Sequence, residues 1–121
     1  MRRAIAPYRG YWDIPGGHCN AGEHPADAAV REALEETGWA IAVTELFGIW
    51  MDSEGESHSL VIYYRARPTE QAQAPEPDET VETAWFEAGA LPEALAFPAH
   101  SRHVLAAWER VVDSAIPLRR D

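Results

Sequence analysis

The sequence predicts a mixed α/β domain with helices packed on a sheet, and three stretches carry that expectation. Residues 25–37 repeat apolar positions at helical spacing, with Pro25 suited to a first helical position and Gly38 to a stop. "WAIAVTELFGIWMD" and "SLVIYYRAR" (Ser59 to Arg67) are rich in β-formers and alternate, so they read as an antiparallel hairpin with a turn at Ser53 to Glu56. "PAHSRHVLAAWERVVDS" places Val104, Leu105, Trp108, Val111 and Val112 on one helical face.

The remaining elements fill the order strand, helix, hairpin, strand, helix. "YWDIP" reads as a short strand entering a Pro15-Gly16-Gly17 turn. His24 or Glu23 marks the start of the first helix. "PTEQAQAPEPDE" is a polar, proline-rich loop, "TVETAWFEA" a further strand in which Trp85, like Trp50, is expected to pack, and Ala90 to Leu95 a short helical turn. The tail "AIPLRRD" is expected to be loosely held. The whole, residues 1–121, fits a single domain large enough to bury a core.

Composition excludes several functional classes. Hydrophobic residues at 46% and charged residues at 25% give an ordinary globular balance, which argues against disorder. No apolar run is long enough to span a membrane, and the start "MRRAIAPYRG" lacks the apolar segment of a secretory signal. The single Cys19 provides no internal disulfide and suits a reducing, cytoplasmic setting. A formal net charge of −10, with arginine as the only strong base, argues against non-specific nucleic-acid binding. It leaves room for a small anionic ligand if metal ions or local arginines bridge the charge.

The first helix poses an electrostatic problem. At about 100° per residue, Glu32, Glu35 and Glu36 fall within one arc of roughly 100°, opposite Val30, Ala33, Leu34 and Thr37. Like charges this close destabilise a helix and raise one another's pKa values unless something neutralises them. Arg31 can reach Glu35 at i+4. A hard divalent cation is the other natural partner, because it takes oxygen ligands. A glutamate-rich face alone is ordinarily solvated surface, so the helix does not decide between these.

The spacing around the helix does. Gly17 is followed by five residues and Glu23, then seven residues and Arg31-Glu32, then Ala33, one residue, Glu35-Glu36, one residue, Gly38 and apolar Trp39. This resembles the Nudix box, G-x5-E-x7-R-E-U-x-E-E-x-G-U, at every fixed position, with Ala33 small for its apolar slot. "GYWDIPGG" before the box and "PDETVETAWF" after it resemble the flanks of the same family.

The resemblance implies a Nudix-type α/β/α sandwich with a mixed sheet, here lacking the usual first strand and hairpin. It implies a hydrolase that cleaves a diphosphate bond in a nucleoside diphosphate linked to another moiety, with Mg²⁺ or Mn²⁺ as cofactor. Carried over by position, Glu32, Glu35, Glu36 and the Gly16 carbonyl are expected to hold metal. Glu35, Glu32 and Glu79 are the candidates for activating water, and Glu23 with Arg31 is expected to form a structural ion pair. The alternative is a non-catalytic ligand-sensing or protein-interaction module. The short start favours that module, while the intact glutamates oppose it.

Other residues are less specific. Trp12 could stack on a base and Arg9 could contact phosphate, although each is as readily explained as an anchor or a surface charge. His58, His100 and His103 lack zinc-ligand spacing, and His100 and His103 are expected on a helix surface. The lead-in P-x-x-G-x-W-D-I-P-G-G suits ADP-ribose-like or dinucleotide substrates. The expected partner is a small nucleotide, and an unpaired sheet edge at the short start makes a homodimer possible.

Overall fold

The computed structural model describes residues 1–53 and 58–118. The element order is β1 (Arg2–Arg3), α1 (Pro25–Thr37), β2 (Trp39–Asp52), β3 (Ser59–Gln71), β4 (Thr80–Glu82) and α2 (Pro98–Leu118). β2 and β3 form a long antiparallel ribbon, and β1 pairs antiparallel with β4. A parallel bridge between Trp12 and Leu95 gives the strand pairing its mixed character. α1 packs on β2, and Ser101, Val104, Leu105 and Trp108 of α2 line an apolar cavity together with Phe47 and Tyr63.

Helix α1 begins and ends as its sequence dictates. His24 caps the N-terminus, its Nδ1 accepting from the Ala26 amide at 3.0 Å, and Pro25 follows in the first turn. At the other end Gly38 adopts φ 79° and donates its amide to the Leu34 carbonyl at 2.9 Å, a left-handed cap. The Gly38 carbonyl then accepts from Ala72 and Gln73, tying the helix end to the end of β3. A side chain at this position would run into the Gln73 carbonyl.

Several boundaries differ from the sequence expectation. "YWDIP" is not a regular strand. Its groups bond to loops instead, with Trp12 N–H donating to Ala94 O, the Trp12 carbonyl accepting from Ala96 N–H, and Asp13 N–H donating to Met1 O. β3 runs on to Gln71, because Trp39 and Ala40 at the start of β2 find partners in Gln71 and Glu70. β4 stops at Glu82, and Trp85, beyond it, is 68% exposed, its ring meeting that of Trp39 edge-on at 5.4 Å. Ala90 to Leu95 is irregular rather than helical, its backbone given to Glu87, Glu93 and Trp12. α2 continues to Leu118, into the segment expected to be loose. The turn expected at Ser53 to Glu56 lies, apart from Ser53, outside the described residues.

The interior is small. Among the described residues the buried apolar side chains are Ala28, Ala33, Ala96 and Val104, and no large side chain is completely buried. Aromatic groups meet around a cavity of about 530 Å³, lined in part by Trp12, Phe47, Tyr63, Phe86 and Trp108. His100, expected on the helix surface, turns inward and shares a hydrogen bond of 2.7 Å with the Tyr63 hydroxyl. Burial pushes that hydroxyl up to about 12, with Asp13 and Asp52 adding to the shift. On the other face of the ribbon, Ile49 sits opposite Ile62 and Met51 opposite Leu60, all exposed.

Gly38→Ala is expected to destabilise the chain by about 1–3 kcal/mol, since the substitution both disfavours the left-handed cap and drives a Cβ into backbone. A urea unfolding curve with a lower midpoint and an unchanged slope is the expected result; an unchanged midpoint would show that the cap and its contact to β3 contribute little.

Candidate active site

The loop of residues 15–24 carries no regular structure, and one side chain from α1 organises it. The Arg31 guanidinium grips both oxygens of Glu23, Nε at 2.9 Å and Nη2 at 3.0 Å. Nη2 also donates to the His18 carbonyl at 3.0 Å, while Nη1 donates to Glu32 at 2.9 Å and to Glu35 at 3.3 Å. Glu23 in turn accepts from the Asn20 amide at 2.9 Å. The hydrogen bond from Arg31 is the main reason the Glu23 carboxyl lies below its usual range, and Glu23 holds the guanidinium firmly protonated. One planar cation thus binds three glutamates and a loop carbonyl together.

The glycines set how closely the loop approaches. A Cβ on Gly17 would lie 2.5 Å from the Glu32 carboxylate, so a larger residue there would displace that carboxylate from its place against the loop. Gly16 donates its amide to Glu36 Oε2 at 2.7 Å. Both glycines line a cavity of about 450 Å³ together with Arg3, Glu32, Glu36 and Glu79.

Three carboxylates converge there. Oxygens of Glu32, Glu36 and Glu79 all lie within 4.8 Å of one another. Glu32 and Glu36 come from α1, whereas Glu79 arrives from the segment entering β4, where its own amide and that of Thr80 bond back to Glu76 O. Glu36 is buried, and that burial, opposed by the Gly16 amide and reinforced by the charges of Glu32, Glu79 and Asp13, pushes its carboxyl up to about 7. The donor set fits a hard divalent cation: all three groups are oxygen donors, they sit close enough to share one ion, and their repulsion is the kind such an ion relieves.

The candidates from the sequence separate here. Glu32, Glu36, Glu79 and Gly16 share the acidic cavity. Glu35 does not: its side chain is half exposed and turned to Arg31. Trp12 lines the apolar cavity and stacks edge-on against Phe86 at 5.0 Å. Arg9 is exposed and lines neither cavity. Arg3, which also lines the acidic cavity, was not legible as doing so, and Asp13 lines the apolar one. Only the β1–β4 pairing brings Arg3 beside Glu79, through the Ala4 amide donating to Glu79 O at 2.9 Å.

A carboxylate cluster on a helix that follows a glycine-rich loop, set on an α/β scaffold, defines a class of site suited to cation-bridged anions. The chain belongs to the family described by the NUDIX domain, whose model matches residues 1–108. In the solved structure of a MutT NUDIX hydrolase from Burkholderia pseudomallei, 84% of that chain superposes on 88% of this one, with a TM-score of 0.75 and 29% identity. A Bacillus subtilis protein provisionally named an 8-oxo-dGTP diphosphatase is 36% identical over 83 residues, 67% of this chain and 53% of that one. The ADP-ribose pyrophosphatase of Methanocaldococcus jannaschii is 34% identical over 62 residues, 51% of this chain and 37% of that one. The chain thus spans about half the length of the Bacillus relative and less of the archaeal one. Among the described residues, no helix is long and apolar enough to cross a membrane.

The raised Glu36 carboxyl has a measurable consequence. Between its ordinary value of 4.5 and about 7, the folded chain holds a proton there that the unfolded chain has lost. Stability from this group is therefore full below pH 4.5 and is lost as pH rises through 7. In chelator, the melting temperature of the wild type is expected to fall more between pH 5 and pH 8 than that of Glu36→Gln, by a few degrees. Parallel pH profiles for the two proteins would show that Glu36 is not held protonated.

Proposed function

We propose that this chain is a metal-dependent hydrolase that cleaves a diphosphate bond in a small nucleotide, such as a nucleoside diphosphate linked to another moiety or a nucleoside triphosphate. The observation that carries the reading is the convergence of Glu32, Glu36 and Glu79 within 4.8 Å beside the Gly16-Gly17 turn. Relatives named as a diphosphatase and an ADP-ribose pyrophosphatase support the bond type without selecting the substrate. A cytoplasmic setting, with free nucleotide at hand, fits this reading.

Glu32, Glu36 and Glu79 would hold Mg²⁺ or Mn²⁺. Bound there, the ion would draw charge from the diphosphate oxygens and orient the group for in-line displacement. The protein's own groups have separable tasks. Glu36, fixed by the Gly16 amide, would offer one oriented oxygen to the cation. Arg31 holds Oε1 of Glu32, leaving its other oxygen as a candidate to take a proton from the attacking water. Glu79 faces the same cavity and is the second candidate for that role. Glu35, turned to Arg31, is better placed to steady the arginine than to reach substrate. As water adds to phosphorus, the bridging P–O bond breaks and the pair of electrons leaves with the departing phosphate. Catalysis here rests on positioning and charge neutralisation.

A panel of ADP-ribose, nucleotide sugars, dinucleoside polyphosphates and nucleoside triphosphates, each with Mg²⁺ and with chelator, tests the proposal. Turnover of at least one, abolished by chelator and reduced on the order of 100-fold or more in Glu36→Gln, is expected. A folded wild type that turns over none of them would favour the non-catalytic module, and full activity in Glu36→Gln would remove that residue from the metal site.

A further inference from the structure

We propose that the exposed face of the β2–β3 ribbon is a homodimer interface, covered in solution by the same face of a second copy of this chain. An antiparallel ribbon with one packed face ordinarily turns polar residues to water on the other. This ribbon does not. Trp50 and Tyr63 share one face, where Trp50 meets the rings of Phe47 and Tyr63, and Tyr63 bonds to His100 of α2. The other face carries Leu46, Ile49 and Met51 from β2 and Leu60 and Ile62 from β3, between 38% and 69% exposed. Cross-strand pairing puts them together. Met51 is opposite Leu60, Ile49 opposite Ile62, and Leu46 opposite Tyr64, two positions along from Ile62.

Charge and area decide what sits there. A chain of net charge −10 repels its own copies over most of its surface. None of the five patch residues is charged, so two copies can meet here without setting like charges together. A strongly acidic or basic partner would find no counter-charge among them. A twofold pair places the patch against itself, and aliphatic side chains of similar size supply the self-complementarity this requires. Sheet faces of this kind stack about 10 Å apart. At those exposures the five residues present on the order of 500 Å² per copy, so a pair buries about 1,000 Å² before its polar rim is counted. That reaches the lower end of what a specific but readily reversible dimer needs.

Pairing by strand edges is the competing route, and the backbone disfavours it. At β1 the Arg3 amide and carbonyl are already bonded to Tyr11 and Gly10, and the Met1 carbonyl to the Asp13 amide. β2 carries register shifts between Ala40 and Ile41, between Val43 and Glu45, and between Leu46 and Gly48, irregularities that blunt an edge. Most of the patch lies instead where the pairing is regular, from Gly48 to Asp52. No described residue of the ribbon lines the acidic cavity, so the interface shares no residue with that site and does not depend on the hydrolase reading.

Sedimentation velocity over protein concentrations from about 1 µM to about 300 µM tests this. A monomer–dimer equilibrium with a Kd on the order of 10–100 µM is expected. Raising the salt from about 50 mM to about 500 mM should tighten it, because salt screens two like-charged copies and leaves apolar contact intact. Leu60→Glu, at the most exposed position of the patch, is expected to weaken association about 10-fold or more, since it buries an unpaired charge. Val111→Glu adds the same charge at an exposed apolar position on α2 and should weaken association far less. In the wild type, hydrogen peroxide should oxidise Met51 more slowly at high protein concentration than at low, with Met1 as the reference in the same sample. That measurement needs no variant and decides the matter if Leu60→Glu does not fold. A wild type that stays monomeric throughout overturns the proposal, as do equal losses in the two variants, a dimer that loosens with salt, or Met51 oxidation independent of concentration.

Discussion

The site depends on the Arg31 guanidinium. Without it, Glu23, Glu32 and Glu35 would face one another across a loop with no regular structure of its own, and the loop would lose its ties to the helix at His18 and Glu23. With it, two oxygens of Glu23, one each of Glu32 and Glu35, and the His18 carbonyl share a single planar cation. Exposed ion pairs contribute little to stability one at a time. A network in which one arginine uses several N–H donors differs, because the geometry of each contact constrains the others. A lysine could neutralise charge here but has three N–H donors for five acceptors.

That constraint divides the three helix glutamates into different groups. The spacing of residues 32, 35 and 36 puts them on one helical arc, and periodicity cannot separate them further. The separation comes from partners that lie elsewhere in the chain. Arg31 draws Glu35 outward, Gly17 lets Glu32 rest against the loop, and the Gly16 amide fixes Glu36 in a buried position. Glu79 completes the cluster from 43 positions beyond Glu36, brought there by the Glu76 turn and by the pairing of β4 with β1. Local spacing made the helix, its caps and the glycine turn legible in the sequence. Arg3 and Asp13 were not, because their place depends on which short strands pair, and a two-residue strand leaves no periodic signal.

The ribbon shows the same limit. β2 and β3 were legible from alternation and β-forming residues. The extension of β3 to Gln71 was not, since Pro68, Thr69, Glu70 and Gln71 have the composition of a loop. They form strand because Trp39 and Ala40 need partners, a tertiary requirement that overrides local preference. His100 reads as a surface residue from helical spacing, yet the Tyr63 hydroxyl draws it inward. In each case a long-range hydrogen bond, invisible to periodicity, decided the outcome.

Burial and function pull against each other in this chain. Among the described residues the buried apolar side chains are Ala28, Ala33, Ala96 and Val104, all small, and proteins in general are only marginally stable. Against that margin the fold buries Glu36 beside two further carboxylates and Asp13 beside Arg3, both with carboxyls shifted upward by burial. Groups shifted this way oppose folding at neutral pH, and a cation shared by the glutamates would reverse the sign of their contribution. A ligand that binds only the folded chain stabilises it in proportion to the logarithm of its concentration over Kd. Ion binding at the acidic cavity would then be a folding term as well as a catalytic one. The same carboxylates that make the ion-free chain costly to fold would make the ion-bound chain rigid where the chemistry needs it.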